Sequence, residues 1–166
     1  MSQKRYGEIM RKVEDALADH IAACPTELIT GVPVVKGFQL DDLPSERIEI
    51  EATEAVPEIV GSTVLGNWTV SLMIKYAYNY KDVTRSAAQA KASELFDLFL
   101  VPDINNQLNK HSKVPDFAVY GGSPNEGESM GTGFEPGAVK SIVEDAHTFS
   151  VTLSATIYCR PSGLEV

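Results

Sequence analysis

The sequence predicts an α+β domain: a mainly antiparallel β-sheet flanked by two α-helices, in the order α-β-β-β-α-β-β(-β). Three observations predict it. From Asn67 to Asn79 the chain reads NWTVSLMIKYAYN, with Trp68, Val70, Leu72, Ile74, Tyr76 and Tyr78 alternating against Thr69, Ser71, Met73, Lys75 and Ala77. Side chains alternate faces along a strand, so this is one long strand with a large apolar face and a mixed face. Residues His147 to Cys159 repeat the pattern, with Phe149, Val151, Leu153, Ala155 and Ile157 opposing Thr148, Ser150, Thr152, Ser154 and Thr156. Between the two, TRSAAQAKASELFDLFL is an amphipathic helix able to cover the apolar faces.

The remaining elements follow in order. Residues 3 to 22 form the first helix, because Ile9, Met10, Val13, Ala16, Leu17 and Ile21 recur at spacings of three and four. Cys24-Pro25-Thr26 ends it, since the residue before proline disfavours helical angles. Val32 to Lys36 is a short strand whose Pro33 marks an edge or a strand start. After a turn at residues 41–45, Arg47 to Thr53 alternates Ile48, Ile50 and Ala52 with Arg47, Glu49 and Glu51, a half-buried strand with an acidic outer face. A loop around Pro57 and Gly61 precedes the long strand. Asp82 or Thr84 caps the second helix, whose stripe is Ala88, Ala92, Leu95, Phe96 and Phe99. Pro102 stops it, and Ile104 to Asn109 adds one more turn. Phe117 to Tyr120 and Val139 to Glu144 are minor strands. Residues 1–160 are expected to form one domain. The Gly-rich stretch 121–137, GGSPNEGESMGTGFEPG, forms a flexible loop in it, and 161–166 is a loose tail.

Composition narrows the function classes. The chain has 166 residues, 43% of them hydrophobic, and a formal net charge of -9; its mean hydropathy is -0.08. These are the values of a globular domain large enough to bury a core. The acidic balance argues against a nucleic-acid interface, which needs clustered Lys and Arg. The acid concentrates in residues 41 to 58, where Asp41, Asp42, Glu46, Glu49, Glu51, Glu54 and Glu58 face a single Arg47. Such a run is ordinarily a solvated face. The start, MSQKRYGEIMRK, lacks the apolar core of a signal peptide, and the apolar stretch Leu95 to Val101 is too short to span a bilayer. Cys24 and Cys159 form neither a metal-binding spacing nor a disulfide framework, so reduced thiols in an unexported protein are expected.

Chemistry is sparse. Gly127-Glu128-Ser129-Met130-Gly131 matches the G-x-S-x-G of a nucleophile elbow, with Asp145 and His147 following. That motif needs a strand leading in and a helix leading out, and both flanks here are Gly-rich. A small serine hydrolase is therefore an unfavoured alternative. His20, His111 and His147 stand on separate elements with no ligand-type spacing, so no metal and no cofactor is expected. Trp68 with Tyr76, Tyr78 and Tyr80 would serve a small ligand-binding α+β module, yet in a strand pattern such residues are more often core. The threonine and serine faces of the two long strands are a different signal. Their neutral, β-branched character suits packing against another subunit, which makes Thr152 and Thr156 candidate interface residues.

The arrangement resembles the tail terminator proteins of long-tailed bacteriophages. The likeness lies in the charged N-terminal helix and in Asp41-Asp42-Leu43-Pro44 before a strand. It continues through Gly66-Asn67-Trp68-Thr69-Val70 opening a long one, the helix entered from Asp82 with Leu95-Phe96-Asp97-Leu98 in its second half, and the closing strand Thr148 to Ile157. It covers roughly Ser2 to Cys159 in order and local character, without an invariant signature. The resemblance implies a virion protein, not an enzyme. It would be assembled in the host cytoplasm as a hexameric ring at the tail–neck junction. The ring would cap the head-proximal end of the tail tube, stop its polymerisation and dock the head-completion or connector protein. DNA would pass its channel without specific binding, and Glu49, Glu51 and Glu54 are the candidate acidic lining. Ser129, Met130 and Phe134 of the Gly-rich loop join Thr152 and Thr156 as candidate contacts to subunits, tube or connector. A head–tail adaptor or a tube-like tail protein is the neighbouring alternative.

Overall fold

A computed structural model describes residues 7–37, 43–61, 63–115, 117–120 and 133–160. The elements are α1 (Gly7–Ala23), β1 (Val34–Lys36), β2 (Arg47–Val60), β3 (Thr63–Asn79), α2 (Arg85–Asp97), α3 (Ile104–His111), β4 (Ala118–Val119), β5 (Phe134–Val143) and β6 (Thr148–Arg160). The class is α+β, with a mixed sheet and, among the described residues, three helices. The strands run β1-β2-β3-β6-β4, and β5 pairs with β6 on the same side as β4. β1 and β2 are parallel; the other pairings are antiparallel.

The long strands pair at the centre. Leu72 stands opposite Ala52 on one side and Ala155 on the other, and Ile74 lies between Ile50 and Leu153. This register puts every apolar alternation on one face, where Ile48, Ile50, Val70, Leu72, Ile74, Leu153 and Ile157 are buried. Ile9, Val13 and Leu17 of α1, Ala88, Ala92, Leu95 and Phe96 of α2 and Leu108 of α3 complete that core. The Thr84 hydroxyl caps α2 by accepting from Ala87 N at 3.1 Å, one of the two caps expected. Glu94 on α2 then holds the segment after α1, its Oε1 accepting from the amides of Glu27, Leu28 and Ile29.

Three expectations are corrected. The single extra turn after Pro102 is a full helix, α3, because Ile104 and Leu108 bury one side of it. β2 does not stop at Thr53: it continues through Pro57, opposite Trp68, with irregularities at Ala52/Glu54 and Pro57/Ile59. A proline is tolerated there because β1 pairs only with residues 48–50, leaving the outer edge of β2 open where an N–H is not needed. Residues 134–137, expected within the Gly-rich loop, open β5 instead. Trp68 is core, 6% exposed, in keeping with its place on the apolar face of the strand pattern. The other residues of the Gly-rich stretch, 121–132, and the tail 161–166 lie outside the described residues, as do Asp41 and Asp42.

The entry to β5 shows why it forms. Asn105 on α3 accepts from Phe134 N at 2.8 Å, and Asn109 pairs with both backbone groups of Val119. Two asparagine side chains thus stitch α3 to two strands. Gly133 has φ of 74°, and a Cβ there would come within 2.3 Å of Asn105 Oδ1, so only glycine allows this approach. On the opposite side of the sheet, Glu14 of α1 is buried and accepts from Ala52 N at 2.9 Å, beside the β2 irregularity. Burial raises its pKa, and the Ala52 amide opposes that. A carboxyl raised in this way favours folding below its unfolded pKa and loses that contribution as pH rises through the folded one.

Candidate functional site

The face of the sheet away from the main core carries the candidate residues. Arg47, Glu49 and Glu51 of β2 stand opposite Ala77, Lys75 and Met73 of β3, which in turn face Ser150, Thr152 and Ser154 of β6. Arg47 Nε donates to Glu49 Oε2 at 2.6 Å, with the two side chains only 10% and 15% exposed. Arg47 also donates to the Pro44 carbonyl. Lys75 Nζ lies 3.6 Å from Glu144 Oε1, which accepts from Ser150 Oγ at 2.8 Å. The face is therefore a set of paired charges rather than a uniformly acidic one.

Of the three acidic candidates, Glu49 is neutralised and largely enclosed by Arg47, which corrects the expectation that it projects with Glu51. Glu51 is half-buried and Glu54 exposed. They lead onto an arm made by the far ends of β2 and β3. There Glu58 accepts from the Tyr158 hydroxyl at 2.7 Å and from Asn67 Nδ2 at 3.2 Å. On the arm Val56 and Ile59 are 50% and 53% exposed. At the other lateral edge of the sheet, Val139 and Val143 of β5 are 55% and 71% exposed.

The interface candidates divide. Thr156 is half-exposed between Ser71 and Glu135. Thr152 is only 4% exposed, set between Lys75 and Lys140. It is the one described residue whose buried side-chain oxygen has no hydrogen-bond partner. An unsatisfied buried hydroxyl costs about 1–3 kcal/mol. Thr152→Val should accordingly raise stability by about 1 kcal/mol in urea unfolding, whereas Thr156→Asp should leave the fold intact and weaken self-association in sedimentation. Association unchanged by Thr156→Asp would place the interface elsewhere. Phe134 is not a surface contact either: it is 4% exposed and stacked on Phe99, ring centroids 5.6 Å apart. Ser129 and Met130 lie outside the described residues.

Of the nucleophile-elbow match, Ser129 lies outside the described residues, and Asp145 and His147 sit at the β5–β6 turn. Asp145 Oδ1 accepts from the amides of His147 and Thr148, both at 2.8 Å, so it shapes the β5–β6 turn. Those two amides hold its carboxyl below the ordinary range. Cys159 is fully buried, and burial pushes its thiol up to about 12, which leaves it unreactive.

The histidines are the feature that spacing missed. His20 and His111, 91 positions apart, approach with Nδ1 atoms 2.9 Å apart. His20 Nε2 lies 2.7 Å from the Leu98 carbonyl, and Cys24 Sγ lies 3.7 Å from either nitrogen of His20. Burial lowers the pKa of His20, the Leu98 carbonyl opposes this, and His111 adds to it. Only the four-residue step from His20 to Cys24 was visible locally. The partner on α3 was not.

No protein-family model matches the chain, and no curated protein matches it. No helix among the described residues is long and apolar enough to cross a membrane.

Proposed function

We propose that the chain is a phage tail terminator, assembling as a hexameric ring on the head-proximal end of a tail tube, where it stops tube growth and docks the head connector. One observation carries the reading: two separate pairs of aliphatic side chains stand exposed at different places on the sheet. Val56 and Ile59 project on the β2–β3 arm, and Val139 and Val143 on β5 at the opposite lateral edge. A ring closes by heterologous contacts, in which one patch of each subunit meets a different patch of the next. The net charge of -9, with Glu54 exposed and Glu51 half-buried beside it, suits a channel that passes DNA without holding it. The role requires no catalysis and no cofactor. A cap of this kind works through unlike ring faces, one complementary to the last tube ring and one that gives another tube subunit too little contact to add.

Projection images of the purified protein, alone and with isolated tail tubes, test the reading. Rings about the width of a tube, or caps on tube ends, are expected. A monomer at every concentration together with bare tube ends would overturn it.

A further inference from the structure

We propose that His20 Nδ1, His111 Nδ1 and Cys24 Sγ form a three-ligand site for a zinc-class divalent ion. The three ligand atoms lie within 4.8 Å of one another. His20 is wholly buried, and its ring is fixed from behind by the Leu98 carbonyl at 2.7 Å from Nε2. A carbonyl oxygen only accepts, so Nε2 carries the proton and Nδ1 presents its lone pair forward. Metal-binding imidazoles are held in this manner, one nitrogen donating to a backbone oxygen and the other facing the ion. Facing that lone pair at 2.9 Å is a second imidazole nitrogen, His111 Nδ1. Without an ion the two nitrogens share one proton; a cation placed between them takes both lone pairs.

The distances select the class of ion. Bonds of about 2.0–2.1 Å to nitrogen and about 2.3 Å to sulfur set tetrahedral neighbours about 3.3 Å (N···N) and about 3.6 Å (N···S) apart. The observed separations are 2.9 Å and 3.7 Å. The imidazoles need to part only slightly. Sγ is equidistant from both nitrogens of His20, so Cys24 turns about χ1 to meet an ion on the Nδ1 side. Cys24 is half-buried, one residue beyond the end of α1. Magnesium and calcium take six or more oxygen ligands, whereas two imidazoles and a thiolate suit Zn²⁺. The fourth position opens toward a cleft of about 350 Å³ walled by Asp103, Asn106, Gln107 and Lys110, with space for a water.

The position of the ligands defines the role. His20 lies in the last turn of α1 and Cys24 directly follows it, His111 is the last residue of α3, and Leu98 directly follows α2. An ion here ties the end of α1 to the end of α3, beside the Leu98 carbonyl that already holds His20. Because the unfolded chain does not bring these residues together, zinc binding adds to the stability of the fold.

The test uses the untagged full chain, stripped with a chelator and titrated at neutral pH with Co²⁺ and then Zn²⁺. One equivalent of Co²⁺ should produce a thiolate-to-cobalt charge-transfer band that Zn²⁺ displaces, and Zn²⁺ should raise the Tm. Cys24→Ser should abolish that band. His111→Ala should weaken zinc binding by at least the roughly 10–100-fold that loss of an outer-shell partner costs, and its stripped form should melt near the parent. If His111→Ala does not fold, Cys24→Ser alone decides, since its side chain lies beyond the helix. No charge-transfer band with Co²⁺ in excess would overturn the proposal. So would a band and a Tm shift that survive Cys24→Ser unchanged.

Discussion

Replacing Phe134 with alanine should lower the free energy of unfolding by about 3–5 kcal/mol, the range for deleting a buried aromatic ring and leaving its cavity. The ring is 4% exposed, stacks on Phe99 and sits on β5 directly opposite Ile157 of β6. Its backbone is pinned at the same point by Asn105, across a glycine that admits no side chain. Neighbours held from both sides cannot collapse into the vacated space, so the loss should fall in the upper part of the range. Urea unfolding of the variant against the parent measures it. A negligible loss of stability combined with a loss of assembly would instead return Phe134 to the interface that its glycine-rich neighbourhood suggests.

Glu49→Lys should destabilise the fold by about 3 kcal/mol or more, whereas Glu51→Lys and Glu54→Lys should be nearly silent. The physical difference is depth. Arg47 and Glu49 form a 2.6 Å pair in which both side chains are largely withdrawn from water. Removing one partner of such a pair strands the other charge, and a lysine adds repulsion at contact distance. Glu51 is half-buried and Glu54 exposed, and among the described residues neither has an ion-pair partner to strand. The double variant Glu51→Lys/Glu54→Lys therefore isolates the electrostatic question. If these residues line the channel of a ring, it should still assemble but retain DNA in a salt-dependent way and lower infectivity. Assembly without DNA retention would place the arm on the outer surface. Thermal melts separate the two classes of variant before any assembly assay.

Periodic patterns made the centre of the fold legible. The two-residue alternation in Asn67–Asn79 and His147–Cys159 names the buried face residue by residue, and the structure pairs those two strands along their whole length. The Thr84 cap and the alanine stripe of α2 were equally visible, because capping and amphipathicity are properties of a few adjacent residues. Pro57 was misleading for a reason the local pattern does not contain. A proline breaks a strand only where its missing N–H is needed, and the short β1 leaves that edge open.

What the sequence by itself determined is which side chains share a face, and hence the α+β class and the long central strands. How deeply a face is covered, and which distant residues meet on it, only the tertiary structure decided. Thr152 and Thr156 share a face, yet one is buried between Lys75 and Lys140 and the other is not. His20 and His111 stand 91 positions apart and meet at 2.9 Å because α1 and α3 pack in one layer. Alternation along the chain encodes direction, while depth and proximity are set by neighbours that arrive from elsewhere in the sequence.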